Sequence, residues 1–169
     1  MVRLYANDPG TRVSDAVQLC PPITVTRLDP RAHLPSLYDD TAIGLDVFAF
    51  LLTESGRATS RAIHLKSVTE VPTGIKVRPP PGYFIQISSR VSLARRGIFV
   101  ANAPAMIPPE CDSELTILLF NGSYQTEYVA HEHRIAQLTL QPIIHADVRE
   151  LPLAKHSEDV HSGPGQSNH

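Results

Sequence analysis

The chain of 169 residues has no tryptophan and only two cysteines, Cys20 and Cys111. Two thiols are too few for a disulfide scaffold, and no charged-then-apolar segment of the secretory type opens the sequence. A soluble protein of a reducing intracellular compartment, cytoplasm or nucleus, is therefore expected. Charge of one sign is missing as well: 15 Lys and Arg stand against 17 Asp and Glu, a net charge of −2. That balance leaves no basic footprint for nucleic acid and none for an anionic membrane surface. Long apolar runs are absent, since stretches such as "VFAFLL" fall far short of the ~20 residues that span a bilayer. There is no phosphate loop of the Walker type, no heptad and no internal repeat.

Proline is abundant instead, with 15 residues. Proline breaks helices and confines strands to edges and ends, so this density predicts many short strands joined by stiff turns. A strand is predicted from Ile23 to Leu28, and "LDVFAFLL" is apolar enough to be buried on both faces. "TESGRATSR" is a turn around Gly56, and "AIHLKSVTEVPTGIKV" gives strand pieces separated by Pro72 and Gly74. "YFIQIS" alternates, with Tyr83, Ile85 and Ile87 on one face. "ELTILLFN" and "HRIAQLTLQPI" are the clearest strands, and "GSYQTEYVAHE" between them has room for another. Only "SLARRG" leans to helix, with Ser92 as N-cap and Gly97 as terminator. Strands at this spacing indicate a sandwich or barrel, between which the pattern does not choose. One domain over residues 1–152 is expected, followed by a flexible polar C-terminal tail, 153–169.

"PPGYFIQISSRVSLARRGI", "LTILLFN" and "HRIAQL", in that order and spacing, resemble the second, third and fourth motifs of trimeric dUTP pyrophosphatases. "AIGLDVFAF" resembles the first, and the similarity runs from Ala42 to Ile143. The superfamily also holds the dCTP deaminases. The resemblance implies an all-β fold, a distorted jelly roll with at most one short helix. It also implies a homotrimer with active sites at subunit interfaces. The family reaction is attack of water on the α-phosphorus of dUTP, giving dUMP and pyrophosphate with magnesium on the triphosphate.

Carried over by position, the resemblance makes Asp46, Arg90, Ser92 and Gln137 the substrate-binding set if a nucleotide binds. Asp46 sits at the metal–phosphate end, and a structural ion pair explains a strand aspartate equally well. Arg90 takes the place of the phosphate-contacting arginine, with Ser92 displaced by one residue from the family hydroxyl. Gln137 matches the phosphate-contacting glutamine, although its lead-in is Glu132-His133-Arg134 where the family has Gly-Asp-Arg. Arg134 itself reads as a structural ion-pair residue. The water-activating aspartate is replaced by Pro108, which has no titratable group and no backbone N–H. Glu110 and Asp112 are the nearby acids that could substitute, and a solvated loop acid is the plainer reading of Glu110. Cys111 stands where the family has the tyrosine that packs under deoxyribose, and a thiol is too small for that platform. In the tail, His161 and Gln166 occupy the places of the family's closing arginine and phenylalanine. Leu118 replaces the glutamate that deamination needs. His131 and His133 would share one face of a strand, a spacing that can seat a metal, but no third ligand accompanies them and no metal site is expected. Arg95 and Arg96 read as a helix-end charge pair.

These replacements lead to the expectation of a pseudoenzyme with no catalytic residue: a scaffold turned to interaction with, or regulation of, a protein partner of unknown identity. Viral relatives of the family supply precedents for host interaction, which leaves a viral origin open. On this reading no cofactor is expected, and magnesium enters only with a bound nucleotide. The alternative is a divergent, magnesium-dependent dUTP diphosphatase, under which dUTP is the ligand.

Overall fold

The computed structural model describes residues 21–151, so the readings of the N-terminal 20 residues and of the C-terminal tail lie outside the described residues. Short strands follow one another, as the prolines require. They are β1 (Thr24–Arg27), β2 (Leu45–Phe48), β3 (Ser60–Ile63), β4 (Val68–Pro72), β5 (Ile75–Arg78) and β6 (Tyr83–Ser88). A single helical turn, α1 (Val91–Ala94), precedes β7 (Ile98–Val100), β8 (Ala105–Ile107), β9 (Thr116–Asn121), β10 (Glu127–Ala130) and β11 (Arg134–Pro142). A four-stranded sheet runs β2–β11–β6–β8 and a three-stranded one β4–β9–β7, with two ribbons, β1–β5 and β10–β3. Every pairing is antiparallel. Strand neighbours are distant in sequence, the crossing pattern of a distorted jelly roll.

Both sheets bury their inner faces in one core. Val47, Ile85, Ile87 and Leu138 come from the larger sheet; Val71, Ile98, Ile117 and Leu119 come from the smaller. The period of two places them there: β6 buries Ile85 and Ile87, and β9 buries Ile117, Leu119 and Asn121 in strict alternation. "LDVFAFLL" is strand only through Phe48. Beyond it the backbone of Ala49 donates to His133 and that of Phe50 to Pro72, so the buried run crosses between strands instead of extending one. Gly74 turns β4 into β5 at φ 68°, where a Cβ would stand 2.8 Å from the Phe50 ring and 2.9 Å from Ala32.

Ser92 does not cap α1. The N-cap is Arg90, without a side-chain cap bond, and Ser92 lies inside the turn. Gly97 ends the segment at φ 79°, as expected. Ala105–Ile107, not among the strands expected from the sequence, forms β8 because its backbone pairs with β6 at Ile85, Gln86 and Ile87.

Asn121 is fully buried at the end of β9. Its Nδ2 donates to the carbonyls of Ile63 and Gln125, each at 2.8 Å, and its Oδ1 accepts from the Ser123 amide at 2.9 Å. It joins β9, β3 and the turn toward β10. Replacement by alanine strands two carbonyls and one amide away from water. Asn121→Ala is expected to lower unfolding free energy by roughly 3 kcal/mol, read from the midpoint of urea denaturation.

Candidate functional site: a paired-arginine cluster and a cavity on one sheet

Asp46 is 1 % exposed on β2, and a buried carboxylate persists only with partners. Arg90, just past β6, donates from Nε to Oδ1 at 2.8 Å and from Nη2 to Oδ2 at 3.4 Å. Arg134, opening β11, reaches Oδ2 from Nη1 at 3.5 Å, and its guanidinium lies 4.7 Å above the Tyr38 ring. Arg90 Nη1 further donates to the Arg134 carbonyl at 3.2 Å and to Ser92 Oγ at 3.3 Å. Gln137 stands in register with Asp46 on one side and Ser88 on the other. Thus Asp46, Arg90, Ser92 and Gln137, separated by up to 91 positions in sequence, come together on one patch. Arg134 joins them in the ion pair. Two guanidiniums share one carboxylate, so the cluster keeps a net positive charge suited to an oxyanion.

The proline loop lies at the other edge of the same sheet. After β8, Pro108 is exposed and its carbonyl accepts from the Cys111 amide at 3.2 Å, which closes a turn over Pro109 and Glu110. Glu110 is exposed and has no hydrogen bond or ion pair among the described residues. Asp112 is engaged by Lys76 at 3.4 Å and Arg78 at 3.2 Å. Beside the loop opens a cavity of about 190 Å³ against β6 and β8, which neither Glu110 nor Asp112 lines. Its carboxylate is Glu114, whose Oε1 accepts from the Gly74 amide at 2.7 Å. Sequence reading passed over Glu114; its one signal was an acid directly ahead of an apolar strand. Cys111 also lines the cavity, and its Sγ lies 3.4 Å from Ser113 Oγ. The Ser113 hydrogen bond pulls the thiol pKa below its ordinary value, against burial and the nearby Asp112 charge. The cluster draws on β2, β11 and the end of β6, and the cavity is lined from β6, β8 and the loop that follows it, so β6 borders both.

The two histidines occupy a turn, not a strand face. His131 Nδ1 accepts from the Leu51 amide at 3.1 Å, and His133 Nδ1 accepts from the Ala130 amide at 3.2 Å. His131 is not a solvated loop residue either, because its side chain packs edge-on against Phe50. Arg96 is drawn off the helix end by Glu127. Among the described residues no three His, Cys, Asp or Glu side chains converge on a point that could hold a metal ion. Asp46 is already neutralised by arginines. This donor set fits a cation carried in on phosphate oxygens and does not fit a protein cage. No helix among the described residues is long and apolar enough to cross a membrane.

Removing the Asp46 charge leaves two arginines facing a buried site without a counter-ion. Asp46→Asn is expected to cost about 3 kcal/mol or more in guanidinium denaturation, whereas Arg134→Met, at the more exposed arm, costs about 1 kcal/mol or less.

The dUTPase family pattern matches residues 31–168. The deoxyuridine 5'-triphosphate nucleotidohydrolase of Desulfotalea psychrophila is 34% identical over 114 residues, 67% of this chain and 72% of that one. The enzyme of the same name from Gloeobacter violaceus is 31% identical over 148 residues, 87% of this chain and 97% of its own. Among solved structures, a point mutant of the dUTPase from phage phi11 of S. aureus, described with a structural Mg(II) ion, superposes with a TM-score of 0.63. It is 16% identical, over 79% of this chain and 99% of that one. The native EIAV dUTPase gives 0.59 at 17% identity, over 79% and 98%. These likenesses correct the expectation of a pseudoenzyme acting as a non-catalytic interaction or regulatory protein. The relatives matched over most of the chain are named as nucleotidohydrolases. The physical error lay in the weight given to Pro108. A general base contributes about 10²–10⁴ of a rate enhancement that is typically about 10⁶ or more, so its absence from one loop position does not abolish a site. By family pattern, sequence and fold together, the chain belongs to the dUTPase family.

Proposed function

We propose that the protein is a dUTP diphosphatase that converts dUTP, bound as its magnesium complex, to dUMP and pyrophosphate. The observation that carries this reading is the net-positive assembly of Asp46, Arg90, Arg134, Ser92 and Gln137. The family resemblance assigns phosphate contact to Arg90 and Gln137 and puts Asp46 at the metal–phosphate end, with Ser92 one residue from the family hydroxyl, and the chain's relatives are named for this hydrolysis. Arg90, held edge-on by Asp46, keeps Nη1 turned toward Ser92 and the Arg134 carbonyl, where an incoming phosphate oxygen competes for it. The Gln137 amide has no side-chain hydrogen bond among the described residues and serves as a neutral donor beside it. Magnesium travels with the triphosphate and lowers the charge that the arginines must meet.

The nucleoside occupies the cavity beside β8. The resemblance implies a homotrimer with active sites at subunit interfaces, and on this reading a neighbouring copy completes the site. Exposed apolar side chains near these edges, Val91 after β6 and Met106 on β8, support burial against a neighbour.

The proton acceptor for the attacking water is Glu110. Pro108 cannot accept a proton, and Asp112 is occupied by Lys76 and Arg78. The turn closed by Pro108 and Cys111 lifts the Glu110 carboxylate into solvent two residues from the family base position. The direct test is pyrophosphate release from dUTP with magnesium. Turnover is expected from the wild type, Glu110→Gln should lower kcat by about 10²–10⁴-fold, and Asp112→Asn should remain in the wild-type range. Equal effects of the two substitutions would remove Glu110 from this role, and a silent wild type would remove the hydrolase reading itself.

A further inference from the structure

The segment ahead of β2 lies along the outer edge of that strand, which ends the larger sheet. Ser36 exchanges both backbone hydrogen bonds with Asp46, at 2.7 and 3.3 Å, and the His33 ring stacks on Phe48 at 4.3 Å. His33 and Ser36 thus meet Phe48 and Asp46 in reverse chain order, so the segment is an antiparallel strap along the edge. Two residues past Ser36, the strap brings the Tyr38 ring against the guanidinium of Arg134.

Arg134 is held unevenly. Its carbonyl accepts from Arg90 Nη1 at 3.2 Å, which fixes the backbone. Its side chain is 38% exposed, and the one hydrogen bond of its guanidinium runs from Nη1 to Asp46 Oδ2 at 3.5 Å, the outer limit for such a bond. Arg90 has the shorter approach to the same carboxylate, 2.8 Å. A guanidinium carries five N–H donors, and the others on Arg134 have no hydrogen-bond partner among the described residues.

A long side chain held by one distant contact samples many rotamers, and ordering it offsets part of what a new bond to phosphate contributes. The ring supplies the missing restraint. It attracts the cation through its face, with Cζ 4.7 Å from the centroid, and uses none of the N–H donors. The Tyr38 hydroxyl makes no hydrogen bond among the described residues, and the residue is 68% exposed, so neither that hydroxyl nor core packing accounts for its place.

Resting on the hydrolase reading above, we infer that Tyr38 is a positioning residue: its ring holds the Arg134 guanidinium beside Asp46 and Arg90, with the remaining N–H donors ready for a phosphate oxygen of dUTP. Tyr38 acts through Arg134 on capture of the charged substrate. The hydrolytic step stays with the groups already named.

The test measures kcat and KM for dUTP with magnesium in the full chain and in Tyr38→Leu, Tyr38→Gln, Tyr38→Phe, Arg134→Met and the Tyr38→Leu/Arg134→Met double variant, with thermal melting to confirm folding. An exposed cation–π contact corresponds to about a two- to five-fold change in an equilibrium constant. Tyr38→Leu should therefore raise KM by about two- to five-fold with kcat near the wild-type value, and Tyr38→Gln, also without the ring, should match it. Tyr38→Phe keeps the ring and should keep the wild-type KM. Arg134→Met removes a charged donor and should raise KM about tenfold or more. In that background Tyr38→Leu should add nothing further. Wild-type turnover with KM unmoved by both ring-free variants overturns the inference and leaves the hydrolase reading standing. So does a loss in Tyr38→Phe equal to that in Tyr38→Leu, which assigns the effect to the hydroxyl, or a Tyr38→Leu effect undiminished in the Arg134→Met background. A wild type silent toward dUTP removes the hydrolase reading, and the inference falls with it.

Discussion

A carboxylate that is 1 % exposed on the end strand of the larger sheet is the constraint around which this structure is arranged. Burying a carboxylate there requires cations that follow it inward, and the chain supplies two from different strands. Arg90 arrives from the end of β6 and Arg134 from the start of β11, so one side chain ties three strands at a single point. The register shift in β11 between Arg134 and Ala136 belongs to the same arrangement. Ile135 and Ala136 are both fully buried, an irregularity that lets Arg134 turn toward Asp46 while its successors enter the core. Fold and charge are therefore not separable at this end of the sheet. The ion pair that closes the strands also leaves one guanidinium in excess, and that excess suits the end to phosphate.

The opposite edge obeys a different constraint. The proline pair fixes the backbone after β8, and the Pro108–Cys111 turn sets where each acid points. Glu110 is turned to solvent, Asp112 into a pair of cations, and Glu114 into the cavity against the Gly74 amide. Three acids spaced by two residues thus acquire three separate environments, which their spacing does not disclose. By the resemblance the loop has lost two residues of the family pattern, at Pro108 and Cys111, and holds both an exposed carboxylate, Glu110, and a walled cavity.

Much of the fold was legible because burial in strands has a period of two. "YFIQIS", "TILLFN" and "RIAQLTLQP" announce β6, β9 and β11, and Gly97 ends α1 as its position suggested. β8 was hidden because three residues beside prolines show no periodicity; only pairing with β6 makes them a strand. Ser92 missed its expected capping role because Arg90, held by Asp46, already fixes the entry to the turn. His131 could not have been placed from sequence, since its acceptor bond reaches Leu51, 80 positions away. The phosphate-type cluster was visible residue by residue through the resemblance. Its net charge was not, because that depends on Arg134 sharing Asp46. Glu114 escaped notice since a lone acid before a strand has no distinctive pattern. The expectation of lost catalysis followed from reading each replacement as decisive, when a site distributes its work over charge, position and proton transfer.

Calorimetric titration of the full chain with the magnesium complex of a non-hydrolysable imido analogue of dUTP tests the central claim most directly, because it reads the site without requiring turnover. Saturable binding is predicted, weakened by Gln137→Ala at the phosphate end. Absence of saturable heat up to millimolar analogue, or binding that Gln137→Ala leaves unchanged, would contradict the placement of a nucleotide across this cluster and cavity.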